Sequence, residues 1–176
     1  MFPKAHAAAY VMMAYRIAWF KIYYPAEYYT AFFSIRATSF NYETMCRGRD
    51  RLEYAIKEIL RSEDAKKADQ DSIKDMKIVR EMYARGIEFL PIDIYKADAK
   101  RFTIHDGKIM AALNTIKDVG DNAAESIAAA AKNGPFLSKD DLRSRSKVST
   151  KNVEYMSELG LLQGLPDTDQ LSLFDL

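Results

Sequence analysis

Two prolines frame the stretch that most restricts this chain. Between Pro3 and Pro25, the run from Ala5 to Phe20 is almost wholly apolar, with Arg16 inside it. A membrane-spanning helix needs roughly 20 apolar residues, and this run is shorter and carries a charge. No basic segment precedes it and no small-residue cleavage site follows it, as a secretory leader would require. Pro3 suits a first helical position, where its missing N–H costs nothing, and Pro25 breaks the helix after about Tyr23. The expectation is a buried helix.

Pro25 opens a second helix from Ala26 to about Arg36, with Tyr29, Phe32 and Phe33 on one face. A third helical stretch runs from about Tyr42 to Arg61, with Leu52, Ile56, Ile59 and Leu60 at helical period. Ser62 to Asp71 is charged and reads as an exposed loop. A fourth helix, Ser72 to Arg85, repeats the stripe at Ile73, Met76, Val79 and Met82 or Tyr83, and Gly86 follows where a left-handed cap belongs. Residues 1–95 read as one helical domain.

The character changes after Gly86. Ile87 to Tyr95 reads as extended chain. Arg101 to Ile104 and Lys108 to Leu113 flank His105-Asp106-Gly107, a strong hairpin signal. Three short helices follow, at about Asn122 to Lys132, Lys139 to Arg145 and Lys151 to Leu159, the last ended by Gly160. Asn122-x-x-Glu125 and Ser138-x-x-Asp141 look like capping boxes. Beyond Pro166 the chain is polar and acidic until a final apolar cluster, and residues 165–176 read as a flexible tail. The fold class is mainly α: a helical portion, then a small β-hairpin with a helix-hairpin-helix in residues 96–164, then the tail.

Composition restricts the chemistry. A lone cysteine, Cys46, rules out an internal disulfide. Two separated histidines, His6 and His105, argue against structural zinc. A net charge of +1 means that an anionic partner must be held by local charge placement. No phosphate-binding glycine loop, Cys–His pair or serine-nucleophile elbow occurs. The chain reads as cytoplasmic, without a membrane partner, and without catalytic residues of its own.

Three segments stand out. At the N-terminus, Lys4 lies in a helical first turn where a cation opposes the dipole, and His6 and Tyr10 share its face. They form either a phosphate contact or core residues beside a solvated lysine. In the second, Thr115-Ile116-Lys117-Asp118-Val119-Gly120-Asp121-Asn122 has the form of a helix-hairpin-helix. Its amides would hold a DNA phosphate without reading sequence. Lys117, Val119, Gly120, Asn122 and Lys132 are the candidates, though Asp118 replaces the usual first glycine. An ordinary helical turn is the alternative. In the third, Gln170, Leu171, Ser172, Leu173 and Phe174 form an apolar anchor within an acidic tail, the kind that docks in a partner's groove.

The last pentapeptide matches the bacterial sliding-clamp motif. The start, Phe2 to Ala14, looks like a stretch of replicative polymerase alpha subunits. The chain as a whole resembles the C-terminal end of the PolC-type DNA polymerase III alpha subunit, with all three motifs in family order. That resemblance implies a fingers portion with Lys4, His6 and Tyr10 toward nucleotide and template. It also implies a grip on primer-template DNA at Val119 and Gly120, and a clamp tether at Gln170–Phe174. The complete enzyme would use Mg²⁺ and a deoxynucleotide triphosphate. The family's catalytic aspartates lie in an upstream palm absent here, so a partial polymerase, inactive alone, is expected. The alternatives are a free-standing DNA-binding adaptor recruited by the clamp, and a pure interaction protein.

Overall fold

The computed structural model describes residues 3–62 and 67–168. Helix α1 (Lys4–Tyr23) follows Pro3, and Pro25 starts α2 (Pro25–Ile35), as their positions predict. The expected third helix is two. Helix α3 (Tyr42–Met45), capped by Asn41 Oδ1 accepting from the Thr44 amide at 3.1 Å, ends before Gly48. Gly48 takes φ 101°, a conformation hostile to side chains, and α4 (Arg49–Arg61) begins after it. Leu52 and Ile56 of α4 are buried, but Leu60 faces solvent.

Helix α5 (Lys67–Ala84) includes the five residues before Ser72, so part of the expected loop is helical. Its charged first turns suit an exposed helix surface, and burial begins at Ile73. It closes in a Schellman motif, with the Gly86 amide donating to Tyr83 O and the Ile87 amide to Met82 O.

The expected two-stranded hairpin belongs to a three-stranded sheet. Strand β2 (Thr103–His105) pairs antiparallel with β3 (Lys108–Met110) through a two-residue turn. Asp106 and Gly107 both have positive φ, 51° and 76°, as a type I′ turn requires. Strand β1 (Phe89–Leu90) adds parallel to the other edge of β3, placing Phe89 beside Ile109. A parallel partner so distant in sequence leaves no turn signal to read.

Phe33 of α2 sits 5.7 Å from the Phe89 ring and 5.6 Å from Phe102, and Phe40 lies 4.9 Å from Phe102. Ser34 Oγ accepts from the Phe102 amide at 2.9 Å. One continuous apolar core runs from Tyr29 to Leu162.

Helix α1 is not buried. None of its residues is enclosed, and Tyr15 (73%) and Trp19 (48%) are open to solvent. It is fastened at its C-terminal end, where Lys21 Nζ pairs with Glu81 at 2.9 Å and Arg85 donates to Lys21 O. Its apolar composition suggested a core helix, but no other described segment covers it. No helix among the described residues is long and apolar enough to cross a membrane.

Candidate nucleic-acid interface

A single 3₁₀ turn at Leu113–Thr115 leads into the first hairpin. Ile116 and Val119 point inward and are nearly fully buried, whereas Lys117 and Asp118 face solvent. The reversal is made at Asp118, whose φ is 63°, and the Val119 amide donates to Ile116 O at 3.1 Å. Asp thus fills the left-handed position usually held by glycine, which it tolerates better than most residues. Val119 anchors the hairpin by packing, and its amide is used inside the turn.

Helix α6 (Asp121–Lys132) starts from Gly120, not from the expected Asn122-x-x-Glu125 box. Asn122 already lies within the helix. Gly120 has φ −74° and ψ 170°, and no side chain caps α6. The first four N–H groups of any helix lack intrahelical partners, here those of Gly120 to Ala123. A Cβ added at Gly120 would meet nothing within 4 Å, so neither backbone strain nor packing demands glycine there. The glycine leaves a bare surface over those amides.

Other segments add charge beside that of the hairpin. Lys151 Nζ lies 2.7 Å from Asp118 Oδ2, and that bond holds the Asp118 carboxyl below its ordinary range. Asn114 donates to Asp121 at 3.0 Å and lowers its pKa, while Lys100 pairs with Glu125 at 2.7 Å.

A second hairpin, missed in the sequence, repeats the first. Helix α7 (Lys139–Ser146) ends in Lys147 at φ 56°, Val148 is buried, and Ser149 (φ −70°, ψ 152°) caps α8 (Thr150–Glu158). Lys147 thus shares the positive φ of Asp118 and Ser149 the extended cap conformation of Gly120, with a buried valine between them in each hairpin. The shared valine before a helix cap was the available signal. Ser138 does cap α7, accepting from the Asp141 amide at 2.9 Å, while the Asp141 carboxylate reaches back to the Leu137 amide. Helix α8 ends in a second Schellman motif, with the Leu161 amide donating to Met156 O at 3.0 Å.

Arg145 is fully engaged in structure. It donates to the carbonyls of Ala130, Gly134 and Pro135, pairs with Asp141, and covers the Phe136 ring at 4.6 Å. Pro166 O and Asp167 O accept from the Lys139 and Asp140 amides, so the chain is anchored there at the start of α7.

The fold brings Lys117, Val119, Gly120 and Asn122 together. Lys132 lies in the last turn of α6, about 15 Å along the axis from Asn122 at 1.5 Å per residue. Lys4, His6 and Tyr10 lie in the N-terminal part of α1, about 17–26 Å along its axis from the anchoring Lys21. The His6 and Tyr10 rings meet edge-to-face at 4.5 Å, as their spacing predicts. Gln170, Leu171, Ser172, Leu173 and Phe174 lie outside the described residues. No group of three or more His, Cys, Asp or Glu among the described residues could hold a metal ion.

The arrangement is that of a helix-hairpin-helix motif, and the model of the helix-hairpin-helix motif family matches residues 86–171. Over 99% of its length the chain is a homologue of the C-terminal region of PolC-type DNA polymerase III. It is 43% identical to that protein from Listeria welshimeri, 45% to that from Lacticaseibacillus paracasei and 40% to that from Thermotoga petrophila. The chain spans only 12–13% of the length of these relatives.

Proposed function

We propose that this chain serves as part of a replicative DNA-directed DNA polymerase in the bacterial cytoplasm, holding duplex DNA behind a catalytic centre supplied by other sequence. Residues 96–164 grip the primer-template backbone through the amides at Gly120–Ala123, assisted by Lys117 and, farther along α6, Lys132. Residues 1–95 form a helical fingers portion with Lys4, His6 and Tyr10 toward the incoming nucleotide and template. Gln170, Leu171, Ser172, Leu173 and Phe174 tether the enzyme to the sliding clamp.

Nucleotidyl transfer in a complete enzyme of this kind uses Mg²⁺, and the described side chains offer no cluster fitted to hold it. In this reading no chemical step is assigned to this chain, and no primer extension is expected from it alone.

The observation that carries the reading is Gly120: a glycine demanded by neither φ nor packing, over uncapped amides, in a motif shared with DNA polymerases. Close approach of a phosphate backbone is what a missing Cβ permits. Gly120→Asp separates the two roles, because Asp is a good helix cap yet puts a carboxylate on the contact surface. The variant should melt no lower than the parent and bind duplex DNA at least tenfold more weakly. Equal binding by both proteins would defeat the reading. The tether is tested by Leu173→Ala with Phe174→Ala, which should abolish clamp binding and leave duplex binding intact.

A further inference from the structure

The first hairpin carries a charge ill suited to a phosphate grip. Asp118 projects from the turn and is 46% exposed. Its position asks only for tolerance of positive φ, which Gly or Asn would supply without the carboxylate.

The compensating cation comes from outside the hairpin. Lys151 lies in the first turn of α8, and its side chain is 77% exposed while its Nζ rests on Asp118. Such an exposed pair contributes about 0–1 kcal/mol to stability, so folding does not explain it. An ammonium has three donors, and Asp118 occupies one. A cation held at the hairpin by so weak a bond can exchange partners readily. A phosphate in place of the carboxylate leaves it paired and removes none of its charge assistance.

We propose that Lys151, resting on Asp118 in the free protein, is a phosphate-contacting residue of the duplex interface that trades the carboxylate for a DNA phosphate on binding. The proposal rests on the hairpin grip described above. Asp118 is then an internal competitor that lowers affinity, and Lys151 joins the contact set with Lys117.

The test is anisotropy titration of the whole chain with a short fluorescent duplex of mixed sequence across a KCl series. Lys151→Ala should weaken binding several-fold and reduce the slope of log K against log salt by about 0.9, the loss of one phosphate contact. Asp118→Asn should bind more tightly than the parent. The decisive protein is Asp118→Asn with Lys151→Ala. If Lys151 contacts phosphate, this double variant binds several-fold more weakly than Asp118→Asn alone. If Lys151 merely screens Asp118, the two bind equally and the proposal fails. Thermal melts accompany each protein, and both side chains are exposed enough for the fold to persist. A parent chain that binds no duplex at low salt defeats the hairpin grip and this proposal together. A parent that binds, with Lys117→Ala weakened and Lys151→Ala unchanged, defeats this proposal alone.

Discussion

Asp118 and Lys147 hold the same place in two successive hairpins. Their φ values are 63° and 56°, each precedes a buried valine, and each valine precedes an extended helix cap. One position carries an anion and the other a cation.

Lys147 gains little from its side chain in that conformation. Lys147→Gly should stabilise the protein by roughly 0.5–1 kcal/mol, the relief of left-handed strain less the added freedom of the unfolded chain. For a chain of this size the melting temperature should rise by roughly 2 °C. Lys147→Val should lower it, because a branched side chain resists positive φ. A Gly variant that melts below the parent would contradict this account.

Arg145 joins the end of α6 to α7 through its planar fork. Arg145→Lys keeps the charge but cannot reach three carbonyls, a carboxylate and the Phe136 face together. Calorimetry should show a loss of roughly 2–3 kcal/mol, and Arg145→Ala should lose at least as much. Parity between Arg145→Lys and the parent would remove the linking role.

Tyr155 Oη donates to Glu43 at 2.7 Å, and Glu43 also pairs with Arg51, connecting α8 to α3 and α4. Burial, then the Glu43 carboxylate, pushes the Tyr155 phenol up to about 12. The folded protein therefore holds this proton more tightly than the unfolded chain does. The associated stability is complete below about pH 10, the ordinary phenol value, and is lost as pH rises toward 12. Tyr155→Phe should cost about 1 kcal/mol at neutral pH. The gap between the two melting curves should narrow from pH 10 upward, and a constant gap would exclude the coupling.

Trp19 is the only tryptophan and lies on the uncovered helix α1. In dilute solution its emission should be that of a hydrated indole, readily quenched by acrylamide. Raising the protein concentration should protect it, because an apolar surface of this kind self-associates. Emission typical of a buried indole at all dilutions would place α1 elsewhere.

Features fixed by neighbouring residues were legible in the sequence. Asp106-Gly107 announced its turn, and Gly86 and Gly160 marked helix ends because left-handed closure leaves a local signature. The interruption at Gly48 was missed because the stripe that defined this helix, Leu52 to Leu60, lies wholly after it and says nothing about the residues before. The start of α6 was misplaced because a glycine cap offers no side-chain oxygen to recognise. Long-range relations were not readable at all: β1 beside β3, or Lys151 on Asp118, depends on segments meeting only after folding. Helix α1 shows the converse, since apolar composition reports a need for cover but not what provides it. The recognised resemblance to PolC-type polymerases extends over nearly the whole chain, whereas the roles of individual DNA-facing residues rest on the tests above.

The sheet has a consequence for how such a piece can be passed on. β3 hydrogen-bonds β1 on one edge and β2 on the other, while Phe33 closes over Phe89 and Phe102. A recombination joint between β1 and β2 would divide one interior between two parents with mismatched surfaces. Grafts between relatives should therefore succeed when α2 through α8 travel as a block, and fail when the seam falls inside it.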